Sequence, residues 1–224
     1  MDALVVSVVG DSLSLPLKRD LRHRGPLIDV RDMLVPYEKT FPALMQLRFP
    51  SALGCHVLVN TNARRGATTV EAVVLVTTEL REFQPHYMIC TVGTSDARFR
   101  PTGLRRAGGR LWQKVGLREF EENLRRLVLP IVFCRTTLII VGILPCGSEL
   151  LRKYPDSSIE FARYNAVLRA IAAEAGGVFL DMSDLAESID EHVAPDGFHY
   201  GPSAHQHVAN RILEVIRANR SSAH

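Results

Sequence analysis

Ser12, Asp196 and His199 are the residue types that acyl chemistry needs, although they stand at opposite ends of a 224-residue chain. A serine hydroxyl is a poor nucleophile until a base takes its proton, and histidine is the usual base. The histidine in turn needs a carboxylate to fix its tautomer and to stabilise the imidazolium that forms. Asp196 and His199 are three residues apart in Pro195-Asp196-Gly197-Phe198-His199, so one tight turn can join carboxylate and imidazole locally. Ser12 lies in Val8-Val9-Gly10-Asp11-Ser12-Leu13-Ser14, where Gly10 permits a sharp turn that lifts the serine off a strand end. Gly66, in Ala63-Arg64-Arg65-Gly66-Ala67-Thr68-Thr69, can bring its backbone N–H against a developing oxyanion because no side chain obstructs it.

The elements that must position these residues alternate between strand and helix. Strands are expected at Leu4–Val9, His56–Asn60, Tyr87–Val92, Thr137–Ile143 and Val178–Asp181. Each is short, rich in β-branched residues and nearly continuous in apolarity, as strands covered on both faces are. Helices are expected at Thr68–Phe83, with Val70, Val73, Val74 and Leu80 inward, and at Gly116–Val128, with Phe120, Leu124, Leu127 and Val128 inward. Two more are expected at Ser157–Ala175, with an N-cap signal at Asp156 and Glu160, and at Ser203–Asn219. The stretches 10–55 and 97–115 look least like regular structure. Alternation of this kind implies a three-layer α/β/α, flavodoxin-like domain around a parallel five-stranded sheet. The length suits one domain, 1–224. Ligands of such sheets bind beyond the carboxyl ends of the strands, and Gly10, Gly66 and Gly93 lead three polar clusters there.

Read in order, these clusters resemble the blocks of the SGNH, or GDSL-type, hydrolase superfamily of esterases, lipases and deacetylases. Gly10-Asp11-Ser12-Leu13 is similar to the first block, with Ser12 as nucleophile. Gly66 matches the oxyanion glycine, Gly93-Thr94-Ser95-Asp96 resembles the Gly-x-Asn-Asp block, and Asp196 to His199 matches Asp-x-x-His. The resemblance implies a catalytic set of Ser12, Asp196 and His199, with an oxyanion hole from Ser12, Gly66 and the position of Ser95. Serine stands where the family has an amide-bearing asparagine. Three explanations are open: Ser95 substitutes with changed geometry, the N–H groups of Ser12 and Gly66 carry the oxyanion alone, or the reaction is not simple ester hydrolysis. Ser14 stands where a Gly-x-Ser-x-Gly elbow would have its second glycine, which argues against an ordinary α/β-hydrolase.

The leading expectation is a serine-dependent hydrolase cleaving a small acyl group from a sugar or metabolite, with no cofactor. The alternatives are an acyltransferase using the same site and a catalytically silent binding module. Asn62 either lines the site or braces its loop, and Asp11 and Asp96 read as structural. The segment 97–118 carries seven basic and no acidic residues. It is either a solvated loop or, through Arg98, Arg105 and Arg106, an anion-recruiting lid for an anionic or carrier-bound substrate.

Other classes fall away on composition. A net charge of +3 and a pI near 8.8 are too mild for a dedicated nucleic-acid binder. No apolar run approaches the roughly 20 residues that span a bilayer, and the N-terminal run has no basic flank, so it reads as a strand rather than a secretory signal. Four scattered cysteines without a Cys-x-x-Cys spacing read as reduced thiols of a cytoplasmic protein, and the Arg- and Ala-rich composition points to a bacterial source. His205 and His207 lie two apart on the last helix and share no face, which argues against a metal site with His199.

Overall fold

The computed structural model describes residues 3–18, 33–100, 112–113 and 115–221. In chain order the strands are β1 Leu4–Gly10, β2 Leu17–Lys18, β3 Met33–Val35, β4 Val57–Ala63, β5 Tyr87–Thr91, β6 Phe99–Arg100, β7 Trp112–Gln113, β8 Thr137–Val141 and β9 Val178–Leu180. The helices are α1 Phe41–Leu53, α2 Thr69–Phe83, α3 Thr94–Ala97, α4 Leu117–Phe133, α5 Ser148–Lys153, α6 Ser157–Glu174, α7 Ile189–His192 and α8 Pro202–Ser221.

Five strands form one parallel sheet in the order β4-β1-β5-β8-β9. Successive side chains of a strand face opposite ways, so β1 feeds two cores. Leu4, Val6 and Val8 pack with Phe41, Met45 and Phe49 of α1 and with Val208 and Ile212 of α8. Val9 packs in the other core, with Leu75 and Val76 of α2, Leu124 and Leu127 of α4 and Leu168 of α6. The result is three layers, the flavodoxin-like arrangement expected. The chain leaves β1 for β4 on one side and later returns to β5 on the other. The carboxyl ends of β1 and β5 therefore flank the point where strand order reverses, the crevice such folds use for ligands.

Several details differ from the expectation. The stretch 10–55, expected to be irregular, contains α1 and the antiparallel pair β2–β3. Pro42 and Pro50 hide α1 from a propensity reading, but a proline in the first turn displaces no helical hydrogen bond. Tertiary burial of Phe41, Leu44, Met45 and Phe49 then supplies the stability. β4 runs on to Ala63, three residues past the expected end, so Asn62 lies in the strand beside Val9. On α2 the expected face is half right: Leu80 is buried and Val73 packs against the core, but Val70 and Val74 are exposed, and Ala72, Leu75, Val76 and Glu79 complete the inward face. The rotation of that face has a cause. Buried Ser7 donates to the buried carboxylate of Glu79 at 2.7 Å, so a charged residue occupies the core side. Asp156 makes no side-chain cap for α6. The reciprocal cap belongs to α2, where Thr68 N–H donates to Glu71 at 2.7 Å.

His205, a metal candidate considered and set aside above, is a core residue. It is buried between Phe41 and Tyr200, and its Nδ1 accepts the Phe41 N–H at 3.1 Å, which caps the start of α1. Burial pushes the imidazole down from 6.5 to about 3. An unfolded chain takes up a proton below pH 6.5 that the fold refuses until about pH 3. The contribution is therefore complete above 6.5 and is lost as pH falls toward 3, by up to about 1.4 kcal/mol per pH unit. Asp96, raised to about 6 mainly by burial, acts with the opposite sign: its contribution is complete below 3.8 and is lost as pH rises through about 6. The histidine contribution is therefore best isolated by substitution. His205→Gln keeps an acceptor and removes the charge, so urea denaturation should show the variant losing less stability than the parent between neutral and acidic pH. A stability difference that is constant across that range would contradict the assignment.

Candidate active site

The carboxyl end of β1 meets β5 too closely for a side chain. A Cβ added to Gly10 would lie 2.0 Å from Thr91 Oγ1 and 2.3 Å from Thr91 O. Gly10 is thus required by the close approach of β5. Asp11 N–H donates to Thr91 O at 3.1 Å, and the next residues form a single 3-10 turn, Ser12–Ser14. Asp11 caps that turn by accepting the Leu13 N–H at 3.0 Å. Ser14 Oγ pairs with Thr91 Oγ1 at 2.6 Å, which pins the far end of the turn to β5.

Ser12 Oγ lies 2.8 Å from His199 Nε2. His199 Nδ1 lies 2.6 Å from Asp196 Oδ2, and the other carboxylate oxygen accepts the N–H groups of His199 at 3.1 Å and Phe198 at 3.3 Å. Burial alone would push the Asp196 carboxyl up. The His199 ring, by bond and by charge, and the two N–H groups outweigh burial and hold it below its ordinary value. An ionised Asp196 keeps the Nδ1 proton in place and leaves Nε2 as the acceptor facing the serine.

The turn that carries the pair is braced from outside. Gly197 is left-handed, with φ 81°, and a Cβ there would lie 2.6 Å from Leu150 N. Its carbonyl accepts the Gly147 N–H at 2.8 Å, and Ala194 N–H donates to His199 O at 2.7 Å. Ala194 also packs with Leu17 of β2 and Val35 of β3.

The other expected residues lie at or after the carboxyl ends of β4 and β5. Gly66 is left-handed, with φ 70°, in the loop between β4 and α2. Asn62 is half-buried at the carboxyl end of β4. Ser95 is buried at the start of α3, and its hydroxyl donates to Asp11 Oδ2 at 3.1 Å. Asp96 accepts the Thr69 N–H at 3.0 Å and the Thr69 hydroxyl at 2.7 Å, tying α3 to the first turn of α2. Asp11 and Asp96 therefore hold the loops after β1, β4 and β5 together, the structural part expected of them. Burial pushes Asp11 above its ordinary value despite the bonds from Leu13 and Ser95 and the nearby His199. Arg98 places its guanidinium carbon 3.8 Å from the centre of the Phe198 ring, and that ring is 4.1 Å from the His199 ring. Arg105 and Arg106 lie outside the described residues.

Sequence reasoning missed Thr91 and Gly147, which brace the two halves of the site. Nothing local marks either one, because each acts on a residue at least 50 positions away. Among the described residues there is no group of three or more His, Cys, Asp or Glu side chains placed to hold a metal ion, and no helix is long and apolar enough to cross a membrane.

Residues 9–207 match the model of the GDSL-like lipase/acylhydrolase family. No curated protein matches the chain. Among solved structures, the lipase/acylhydrolase from Enterococcus faecalis is 17% identical with a TM-score of 0.72, over 96% of both chains. LAE5, described as an alpha/beta hydrolase enzyme from the metagenome of Lake Arreo, is 18% identical with a TM-score of 0.69, over 96% of this chain and 95% of that one. Axe2, an acetylxylan esterase from Geobacillus stearothermophilus, is 17% identical with a TM-score of 0.62, over 94% and 92%. At these identities the likeness is one of fold.

Proposed function

We infer that this chain, which belongs to the GDSL-like lipase/acylhydrolase family, is a serine-dependent hydrolase that cleaves an ester through an acyl-enzyme on Ser12. The observation that carries the reading is the unbroken line from Ser12 Oγ to His199 Nε2 at 2.8 Å and from His199 Nδ1 to Asp196 at 2.6 Å. His199 takes the Ser12 proton as the oxygen attacks the acyl carbonyl. Asp196 stabilises the imidazolium. The alcohol leaves with the proton from His199, and water repeats the sequence to release the acid. The N–H groups of Ser12 and Gly66 serve the oxyanion. With Asp11 ionised, the Ser95 proton is committed to Asp11.

For the substrate we propose a small acyl group on a sugar or metabolite. The name of Axe2, an acetylxylan esterase of the same fold, agrees with a small acyl group. Arg98, stacked on Phe198 beside His199, puts a positive charge next to the site. That favours an ester bearing a negative charge, with Arg105 and Arg106 of the basic segment extending the field. Asn62 is proposed to border the substrate at the end of β4. The reaction as written needs no metal or organic cofactor. The cysteines are free thiols, which suits a reducing cytoplasm.

Water and an acceptor alcohol compete for the same acyl-enzyme, so partition of products is the test. An activated acetyl ester incubated with and without a panel of sugars and alcohols should yield acetate as the main product by mass spectrometry. Acylated acceptor as the main product would make the protein an acyltransferase. No turnover with any donor would favour a silent binding module.

A further inference from the structure

Asp11 takes no part in proton transfer between Ser12 and His199, yet its side chain is buried between the nucleophile's turn and α3. Its Oδ1 accepts the Leu13 N–H at 3.0 Å, and its Oδ2 accepts the Ser95 hydroxyl at 3.1 Å. The Ser95 N–H also reaches the carboxylate. The charged and titratable groups around it are Asp96 from α3 and His199 and Tyr200 from the turn before α8.

A serine hydroxyl has one proton. While Asp11 is a carboxylate it has none to give, so the Ser95 proton lies on the bond between them. A neutral Asp11 has an O–H of its own. It can donate to Ser95 Oγ, and the serine proton is then released to point elsewhere. We propose that Asp11 is a positioning residue that sets the direction of the Ser95 hydroxyl, so that Ser95 serves as a third oxyanion donor only when Asp11 is uncharged. The inference rests on the acyl-enzyme reading of Ser12. Two observations support it beyond the bond itself. Both side chains are almost wholly buried, so no bulk water competes for the serine proton. Burial also raises the Asp11 carboxyl above its ordinary value, which brings its neutral form closer to working pH.

Asp11→Asn reproduces the neutral state. The amide oxygen still accepts from Leu13, and the amide N–H donates to Ser95 Oγ. With a neutral activated ester, kcat of Asp11→Asn should exceed that of the parent about tenfold where Asp11 is ionised, a fraction of the roughly 10²–10³ attributed to a well-placed donor. The ratio should fall toward one as acidification neutralises Asp11 in the parent. Removing the Asp11 charge also alters the field at His199, so the comparison is repeated in a Ser95→Ala background, where that field change persists and the hydroxyl does not. The gain should vanish there. A gain that survives without the Ser95 hydroxyl, or a loss of kcat in Asp11→Asn, overturns the proposal. Should Asp11→Asn fail to fold, the parent-to-Ser95→Ala ratio of kcat gives the same test. It should grow on acidification, and a flat ratio overturns the proposal. Turnover that persists in Ser12→Ala would remove the acyl-enzyme reading and this inference with it. Turnover that needs Ser12 but ignores Ser95 at every pH removes this inference alone.

Discussion

Replacing Ser12 by alanine should lower kcat on an activated ester by on the order of 10⁴–10⁶ while leaving the fold unchanged. The hydroxyl meets His199 Nε2 at 2.8 Å on the proposed proton path. The turn around it is held by others: Asp11 caps Leu13, and Ser14 is pinned to Thr91. Loss of the hydroxyl therefore removes chemistry without removing structure. Asp196→Asn makes a sharper companion. The amide oxygen can keep both backbone N–H bonds, from Phe198 and His199, so the turn persists. Its NH₂ then faces Nδ1, which favours the imidazole tautomer with its proton on Nε2, and a protonated Nε2 cannot act as base. The expected loss is about 10⁴ in kcat with an unchanged circular-dichroism spectrum. Either variant retaining more than a tenth of parental kcat would mean that another nucleophile or base operates.

Gly10→Ala should be severely damaging. The added Cβ would meet Thr91 O, a backbone atom, at 2.3 Å, and Gly10 and Thr91 are paired in the sheet. A side chain could rotate away, but a strand carbonyl can yield only if β1 and β5 part at their carboxyl ends. Overpacking of this kind costs about 3 kcal/mol. The displacement falls one residue before Asp11 and two before Ser12, so activity should fall by about 10²-fold as well, through misplacement of the nucleophile. Gly116→Ala is the control, because a Cβ there meets nothing within 4 Å. Urea denaturation and kcat measured on both variants check the claim. Equal midpoints for the two would show that β1 and β5 have slack at this end.

What could be read from the chain beforehand divides along a physical line. Asp196 and His199 were legible because their bond closes within one turn, and Ser12 because a glycine and polar residues follow a buried strand. The five strands of the sheet were legible as short apolar runs between turn residues, with bounds shifted by a few positions. α1 was not, because two prolines depress its local propensity and its stability comes from packing against β1 and α8. The buried face of α2 was legible only in Val73 and Leu80, because Glu79 sits on it, and that choice makes sense only once Ser7 is known to lie opposite. The Ser95–Asp11 bond joins residues 84 positions apart, and no local pattern announces it. That bond engages the hydroxyl of the residue standing, by resemblance, at the asparagine position.

The central claim is that Ser12 is activated by His199, and covalent labelling tests it most directly. A fluorophosphonate probe, followed by proteolysis and peptide mass mapping, should place one adduct on Ser12 in the parent protein. The adduct should form far more slowly in His199→Ala, because the hydroxyl then has no base at 2.8 Å. An adduct on a different residue, or labelling of Ser12 at the same rate without His199, would contradict the account.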